Sequence, residues 1–343
     1  MKISFLVTYY QQERFVRDSL ESILALKKPP EWEILIGDDG SSDGTVALAE
    51  AFRQKDPEHI RIFVMDRDPS RKYNPVERAS MNRLNLIRHM TGDCYCLMDG
   101  DDFYSDADFI LPAVALLEAH PEVSVIGMDT WMYREGQDRK PPRAGSLRPV
   151  PTSRRKYLRW QYTHAGACVI RSPHTPENLR LLERLGSFDD NDIVLNALAR
   201  GKLIRVHRPV YAYRQAEGSV YTAMNPAEQA GLNIAGLGAA LRIMGPDWEK
   251  DVLARYATAV WMAWFLRRRL KEDSNPVPYE RYLQLCRRAE FREGEMLLRF
   301  PELSPEERKR VRSWVFRAGL QSPPRVVYAW IRTRHRPGRT NQG

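Results

Sequence analysis

The segment from Gly92 to Phe103 constrains the fold of this chain more than any other. It begins with an uncharged, largely apolar run, Cys94–Met98, and continues directly into three carboxylates, Asp99, Asp101 and Asp102. A short apolar run that ends in turn residues predicts a buried strand. Carboxylates at the carboxyl end of such a strand lie where open α/β sheets bind their ligands.

Asp99 and Asp101 are two residues apart and share one face if the strand continues through them. Because their charges repel, a cation between them would stabilise the site. Oxygen ligands of this kind suit a hard ion, Mg²⁺ or Mn²⁺. The alternative is a solvated acidic turn that caps the next helix, and the Asp-Gly-Asp-Asp sequence alone does not separate the two interpretations.

Strand and helix patterns alternate along the first 65 residues. Ile3–Thr8, Trp32–Gly37 and Ile60–Met65 have the composition of buried strands, whereas Gln12–Leu26 and Thr45–Gln54 carry apolar residues at helical spacing. This β-α-β-α-β order predicts a parallel sheet of the nucleotide-binding type with right-handed connections. We therefore expect an α/β fold with a mostly parallel central sheet.

The rest of the chain divides into an α/β part and a helical part. We expect an α/β domain at 1–224, a helical appendage at 225–335 and a disordered tail at 336–343. Within the first domain the patterns predict helices at 79–90, 108–119 and 192–200 and strands at 123–128, 165–171, 203–206 and 210–213.

Composition limits the functional classes. With 43% hydrophobic residues, the chain of 343 can bury a sizeable core. The four cysteines form no zinc-like pattern, so we expect free thiols in a reducing cytoplasm. We expect no signal peptide, and the longest nearly apolar run, Tyr256–Leu266, is too short to span a bilayer. The chain has a formal charge of +9, and residues 252–343 alone carry 20 Lys and Arg against 9 Asp and Glu, a net charge of +11, so the first 251 residues are about neutral.

A second pair of carboxylates, Asp38 and Asp39, ends the second predicted strand. Such carboxylates can accept hydrogen bonds from a ring N–H of a base or from ribose hydroxyls. The following turn, Gly40–Thr45, supplies helix-capping residues and backbone donors, although an ordinary strand-to-helix turn explains it equally well. Neither Gly-x-Gly-x-x-Gly after strand one nor a Gly-Lys-Ser/Thr motif is present, which disfavours dehydrogenase and P-loop functions.

Three blocks together carry a specific resemblance: Phe5–Tyr10, Glu33–Thr45 and Gly92–Asp102. In content, order and spacing the chain resembles the inverting family 2 glycosyltransferases, which have the GT-A fold. The resemblance is strong over about the first 105 residues and weaker to about residue 220. It implies that 1–224 is a GT-A glycosyltransferase domain.

The resemblance also implies a donor site. Thr8 and Tyr10 match positions that line the nucleotide base, and Asp39 matches the carboxylate that reads it, typically at uracil N3–H. Asp99 and Asp101 match the Asp-x-Asp pair of the metal site, with Asp99 near the ribose or metal-bound water and Asp101 ligating Mn²⁺ or Mg²⁺.

For the acceptor side, the resemblance implies a general base just before a helix. By alignment to that helix Asp192 takes this role, with Asn191 in place of the usual Glu, and Asp190 is the competing assignment. A helix cap rich in aspartate is the structural alternative for either residue. His164 is a candidate for acceptor binding, and a loop histidine without function is the alternative.

Two departures from the family pattern bear on the site. Ala216 stands where the family often has a metal-ligating histidine. The family's Ala-Arg-Asn reads Ser80-Met81-Asn82, so the arginine expected to hold a phosphate is missing. Arg78, one helical turn before Asn82, is the predicted replacement, with Arg71 and Lys72 as alternatives.

The functional expectation is transfer of a sugar from a nucleotide-sugar donor, UDP-linked by preference, to a glycan or lipid-linked hydroxyl. The transfer would invert the anomeric centre with help from a divalent metal, in cytoplasmic assembly of a surface polysaccharide. A sugar-nucleotide-binding protein without catalysis is the alternative. The basic C-terminal region suits peripheral contact with an anionic membrane, a solvated helical cap or an interface between copies. It has no recognised nucleic-acid module, so no nucleic-acid partner is expected.

Overall fold

The computed structural model describes residues 1–68, 70–160, 163–172, 175–215, 237–254, 284, 286–299 and 302–317. The chain divides into two compact units. The first comprises Met1–Arg154 and Tyr162–Glu217, and the second Arg155–Gln161 and Gly218–Gly343. The predicted boundary at 224/225 and the predicted tail at 336–343 lie outside the described residues.

The first unit is built on one nine-stranded sheet, as far as the chain is described. Its order is β3-β2-β1-β4-β8-β6-β9-β5, and β7 also pairs with β9. The strands are β1 (Ile3–Tyr9), β2 (Trp32–Asp38), β3 (Ile60–Val64), β4 (Cys94–Asp99), β5 (Phe103–Tyr104), β6 (Val123–Tyr133), β7 (Val150–Thr152), β8 (Cys168–Arg171) and β9 (Lys202–Arg214).

Helices connect these strands and continue into the second unit. They are α1 (Glu13–Leu24), α2 (Thr45–Lys55), α3 (Pro75–His89), α4 (Ile110–Ala119), α5 (Arg154–Trp160), α6 (Pro176–Leu185), α7 (Asp190–Leu198), α8 (Leu237–Met244), α9 (Arg292–Leu298) and α10 (Pro305–Arg317). Two 3₁₀ turns lie at Ala165–Ala167 and Pro246–Trp248.

The strand order confirms the predicted α/β class. β3, β2, β1 and β4 are mutually parallel, and β8 inserts antiparallel between β4 and β6. Thr8 on β1 lies beside Gly37 of β2 and Asp99 of β4. Because these three strands run the same way, both acidic segments emerge at one edge of the sheet, as expected for an open α/β fold.

The parallel strands are apolar because the sheet is covered on both faces. Phe5, Leu6 and Val7 of β1 are all buried, although successive side chains point to opposite faces. The buried residues of α1 follow the 3.6-residue period and join the same core. Near-continuous hydrophobicity in the sequence was therefore a correct signal of a central strand.

Several predicted boundaries shift. The strands expected at 203–206 and 210–213 form the single strand β9. It stays paired with β6 throughout because register shifts on either side of Asp129 accommodate the residues between the two expected strands. Residues 165–167 form a 3₁₀ turn instead of the start of β8. α3 begins at Pro75, where the Asn74 side chain accepts hydrogen bonds from the backbone N–H groups of Val76 and Glu77.

The second unit contains α8, α9 and α10 among its described residues. Within it Arg155 forms an ion pair with Asp251 at 2.9 Å, and the rings of Phe291 and Trp314 meet edge to face at 5.4 Å. In the described part of the chain no helix combines the length and apolarity that a membrane crossing requires. The arginines at 267–269 lie outside the described residues.

A buried carboxylate ties three segments together at the amino end of β2. Glu33 accepts hydrogen bonds from Ser4 Oγ at 2.7 Å, Thr91 N at 2.6 Å and Arg61 Nη2 at 2.7 Å. Burial opposes its ionisation, but the bonds from Ser4 and Thr91 outweigh burial and lower the pKa of Glu33 below its ordinary value. Its charged form therefore stabilises the fold.

We expect Glu33→Gln to lower the free energy of unfolding at pH 7 by about 1.5–3 kcal/mol, the range for hydrogen bonds to a charged group. Because the folded pKa is lowered, this stabilisation is present above the ordinary carboxyl pKa and is lost as the pH falls through the folded value. Urea unfolding at several pH values checks this, with exposed Glu31→Gln as the control. A difference from wild type that stays constant into the acid range would contradict the assignment.

Candidate active site

The carboxyl edge of β1, β2 and β4 is fixed by backbone hydrogen bonds that continue beyond the strands. Asp39 N donates to Tyr9 O at 3.0 Å, and Gly100 N donates to Thr8 O at 2.9 Å. These bonds hold the loops after β2 and β4 next to β1. The two acidic segments singled out in the sequence are thereby brought to the same edge.

Asp39 lies within a cluster of arginines and aromatic rings. Its carboxylate accepts from Arg78 Nε at 2.5 Å and from Arg67 Nη2 at 3.3 Å. The Arg67 guanidinium lies 4.0 Å above the ring of Tyr10. Tyr10, like Asp39, was predicted to contact the nucleotide base. Tyr73 lies against both arginines, 5.2 Å from Arg67 and 4.8 Å from Arg78. This cluster presents a ring face, N–H donors and a carboxylate within one small region.

Arg78 differs in setting from the sequence expectation. It was predicted to hold a phosphate, but its guanidinium is buried and engaged by Asp39 and by the Asp66 carbonyl. Arg67 was not singled out from the sequence, because nothing in a polar loop indicates which of its cations returns to the sheet edge.

Asp99 lies at the end of β4 between two side chains. Its Oδ1 accepts from Arg83 Nη2 at 2.9 Å and lies 3.4 Å from Thr8 Oγ1. Burial would raise the pKa of Asp99, but the charge and hydrogen bond of Arg83 lower it below its ordinary value. Asp99 is therefore held ionised.

Asp101 is in the opposite electrostatic situation. Burial, followed by repulsion from Asp99, raises its pKa to about 6. Among the described residues it forms no salt bridge with Lys or Arg, although the charge of Arg214 and a hydrogen bond with Gln12 partly offset the rise. A further positive charge near Asp101 would therefore stabilise its ionised form.

Asp102 is buried beneath this pair and anchored to β9. Tyr211 OH lies 2.7 Å from Asp102 Oδ2, and Arg214 N donates to Oδ1 at 2.7 Å. Arg214 Nε also donates to the Asp101 carbonyl at 2.6 Å. Burial and the charges of Asp101 and Asp99 raise the pKa of Asp102 well above its ordinary value. These contacts fix the turn that carries Asp99 and Asp101.

The acidic pair fits a divalent cation whose coordination is completed by a ligand. Within the described part of the chain no three His, Cys, Asp or Glu side chains are grouped to hold a metal. Mg²⁺ commonly takes one or two carboxylates and completes its shell with water and substrate phosphates. The raised pKa of Asp101 beside ionised Asp99 is the observation that favours such an ion. Ala216, which replaces the family histidine, lies outside the described residues.

A pocket beside Asp99 contains the acceptor-side candidates. Arg83 reaches it from α3, His164 from the segment before β8, and Asp190 from the first residue of α7. Arg83 Nη2 donates to Asp99, and the charges of Asp99 and Asp190 raise the pKa of Arg83 despite its burial. The described residues that line it are Thr8, Arg83, Leu97, Met98, Asp99, His164, Gly166, Asp190 and Tyr211.

The two candidate bases occupy different positions. Asp190 Oδ2 is buried, lies 3.3 Å from His164 Nε2, and makes no aligned hydrogen bond within the described structure. Asp192 belongs to a capping box, in which its Oδ2 accepts from Asp189 N at 3.1 Å while its own N–H donates to Asp189 Oδ1 at 2.8 Å. Asp190 lines the pocket, and Asp192 secures the start of α7.

Two further site residues, Arg83 and Tyr211, were not predicted from the sequence. Arg83 follows Asn82 directly in the sequence, and its guanidinium donates to Asp99. Tyr211 fills the space under the pocket and bonds to the Asp99–Asp102 turn. The sequence signal that could have pointed to Arg83 is its position directly after a family motif. Tyr211 could not be distinguished from an ordinary core tyrosine.

We expect Tyr211→Phe to lower the free energy of unfolding by about 1–3 kcal/mol, because it leaves Asp102 Oδ2 buried without its hydroxyl partner. It also removes the hydroxyl that accepts from Asp99 N at 3.3 Å, while the ring is retained. Chemical denaturation measures the effect, with the partly exposed Tyr10→Phe as the matched control. Equal stability of Tyr211→Phe and wild type would show that this hydroxyl does not anchor the turn.

The family model for glycosyl transferase family 2 matches residues 4–172. EpsE of Bacillus subtilis (strain 168) is 31% identical over 134 residues, which are 39% of this chain and 45% of EpsE. The chain thus spans less than half of the length of this curated relative.

Among solved structures, residues 1–349 of S. aureus TarS in complex with UDP align with a TM-score of 0.53 and 15% identity, over 98% of this chain and 93% of that one. The complex of the same protein with UDP-GlcNAc gives a TM-score of 0.53 and 14% identity, with 97% and 92% covered. At this identity the likeness shows the fold, and it confirms the GT-A expectation. The strand order and the acidic edge of the sheet agree with the family match, so residues 4–172 of this chain belong to glycosyl transferase family 2.

Proposed function

We propose that the chain transfers a sugar from a nucleotide-sugar donor, with UDP as the nucleotide, to a hydroxyl acceptor with inversion. One observation carries this proposal: Asp99, Asp190 and Arg83 line the same pocket. A single displacement needs a donor-side charge and a separate acceptor-side base, and these two carboxylates are suitably divided between strand end and helix start.

The nucleotide end of the donor is assigned to the Asp39 cluster. The Tyr10 ring offers a stacking face, and Asp39 beside Arg67 and Arg78 offers an acceptor next to N–H donors. A uracil presents N3–H between two carbonyl oxygens, which complements that pattern. The UDP complexes of the TarS structures are consistent with this choice and say nothing about the sugar used here.

Asp190 is assigned as the general base, ahead of Asp192, for which the family resemblance predicted the role. Its buried Oδ2 faces the pocket, whereas the corresponding oxygen of Asp192 is engaged in the capping box. In the proposed step Asp190 takes the proton of the acceptor hydroxyl while the acceptor oxygen bonds to the anomeric carbon. The bond from that carbon to the diphosphate oxygen breaks on the opposite face, which inverts the centre.

Asp99 and Asp101 would hold a divalent cation together with the donor diphosphate. When bound, Mn²⁺ or Mg²⁺ stabilises the negative charge that develops on the leaving diphosphate. Arg83 holds Asp99 ionised at the same edge. In this site Arg83 takes the place of the arginine missing at Met81.

The proposed setting follows from the family alone. The acceptor is a hydroxyl of a glycan or a lipid-linked sugar, and the product belongs to a surface polysaccharide. The excess of basic residues in 252–343 would suit peripheral contact with an anionic membrane that carries such an acceptor.

The test is release of nucleoside diphosphate from UDP-glucose, UDP-galactose, UDP-GlcNAc and GDP-mannose, with Mn²⁺ or Mg²⁺ and with water or a simple glycoside as acceptor. We expect turnover of one UDP-sugar by wild type and loss of turnover in Asp190→Asn. NMR of the newly formed anomeric centre reports inversion. Binding of a nucleotide sugar with no turnover in the presence of any acceptor, including a bacterial lipid extract, would favour the non-catalytic sugar-nucleotide-binding function.

A further inference from the structure

We infer that His164 is a positioning residue that holds the carboxylate of Asp190 for proton transfer, as the neutral tautomer with hydrogen on Nε2. This inference rests on the proposed role of Asp190 as base. It assigns to His164 a different task from the acceptor binding expected from the sequence.

The tautomer is set by the backbone. Gly166 N donates a hydrogen bond to His164 Nδ1 at 3.1 Å, so this nitrogen presents its lone pair. In the neutral ring the hydrogen is then on Nε2, which lies 3.3 Å from Asp190 Oδ2. Both ring nitrogens are accounted for, and neither remains for an acceptor hydroxyl.

The plane of the imidazole is fixed by two tyrosines. It stacks on Tyr211 with 5.4 Å between centroids and 21° between planes, and Tyr213 meets it edge to face at 5.6 Å. Tyr211 is itself held through its hydroxyl by Asp102. A Cβ at Gly166 would lie 2.2 Å from Tyr211 Cζ, so only glycine allows the backbone N–H and the tyrosine ring to approach His164 together.

Asp190 needs such a partner. It is the first residue of α7, and its Oδ2 is buried without an aligned hydrogen bond in the described structure. The His164 contact is close but not yet linear, and contacts of this kind tighten when substrate binds. The arrangement links the donor-side turn to the base through Asp102, Tyr211, His164 and Asp190.

Two substitutions separate the two ring nitrogens. In His164→Asn the amide oxygen can replace Nδ1 as acceptor for Gly166 N, but the side chain is too short to reach Asp190. In His164→Gln the amide nitrogen can reach the Nε2 position and donate to Asp190. We expect His164→Asn to lower kcat for hydrolysis of the UDP-sugar turned over by wild type by about 10- to 100-fold, with donor KM nearly unchanged.

We expect His164→Gln to recover most of that kcat, because it restores the donor to Asp190. A purely structural role would give the reverse order, with Asn tolerated and Gln impaired, and that result would overturn the inference. Loss of activity in Asp190→Asn together with normal kcat in His164→Asn would also overturn it while leaving the proposed base in place. Full activity of Asp190→Asn would instead refute the base assignment.

A measurement without substrate decides the geometry. In protein labelled with ¹⁵N-histidine, the signals lost in His164→Asn identify the ring, and two-bond ¹H–¹⁵N correlations report its tautomer. We expect hydrogen on Nε2 at pH 8, and a shift of that nitrogen in Asp190→Asn that Asp192→Asn does not cause. Hydrogen on Nδ1, or no response to Asp190→Asn, would contradict the inference whether or not a donor has been found.

Discussion

Asp190→Asn is expected to lower kcat for sugar transfer by about 10²- to 10⁴-fold, the range for loss of a general base, with donor affinity unchanged. Asn has nearly the same shape as Asp but cannot accept the proton of the acceptor hydroxyl. Because Asp190 lines the pocket at the amino end of α7 and lies outside the Asp39 cluster, the nucleotide should bind as before.

The matched control is Asp192→Asn, two residues away on the same helix. Its amide oxygen can still accept from Asp189 N, so the capping box and the fold should persist. We expect activity within a few-fold of wild type. Steady-state kinetics on both variants decides between the carboxylates, and a larger loss in Asp192→Asn than in Asp190→Asn would restore the assignment made from the sequence.

Asp101→Asn is expected to abolish metal-dependent donor binding and turnover while making the protein more stable. An uncharged amide is a weak ligand for a hard cation, so the diphosphate loses its link to the acidic turn. Because the pKa of Asp101 is raised to about 6, the folded state loses stability as the pH rises from the ordinary carboxyl value to about 6, and the loss is complete at pH 8. Removing the charge should therefore add on the order of 2 kcal/mol to the free energy of unfolding at pH 8.

The opposite signs of the two effects distinguish a functional carboxylate from a structural one. Thermal unfolding in EDTA at pH 8 measures stability, and titration of UDP in the presence of Mn²⁺ measures binding. Asp108→Asn serves as the control, because Asp108 is exposed and pairs with Lys27 at 2.7 Å. A less stable Asp101→Asn protein that still binds UDP in a Mn²⁺-dependent way would show that the charge serves the fold instead of the metal.

The sheet and its acidic edge were predictable because both follow from local patterns. The apolar runs of β1, β2 and β4 give buried strands, and parallel strands bring their carboxyl ends together, so Asp39 and Asp99 follow from chain order alone. No contact distant in sequence has to be known for that step.

Which aspartate faces the pocket could not be predicted from the sequence, and the reason is local. It depends on whether α7 begins at Asp190 or Asp192, and helix ends are uncertain by about this much from sequence. A capping box usually reads Ser or Thr followed three residues later by Glu or Gln. Here Asp189 and Asp192 form it, so the acidic run concealed which aspartate caps and which one faces the pocket.

The arginines were missed because their partners are distant in the chain. Arg83 meets Asp99 sixteen residues later, and Arg67 meets Asp39 twenty-eight residues earlier. Neither spacing belongs to one helix or hairpin. The side on which Arg83 leaves the helix also depends on where α3 starts. α3 starts at Pro75, four residues before the helix start expected from the sequence.

The proposed function requires that the carboxyl edge of β1, β2 and β4 bind a sugar nucleotide with a divalent metal. Isothermal titration of the purified chain with UDP, GDP and dTDP, each with and without Mn²⁺, tests it most directly. We expect UDP to bind only in the presence of Mn²⁺, and this binding to be lost in Asp101→Asn. Folded protein that binds none of the three nucleotides under either condition would contradict it.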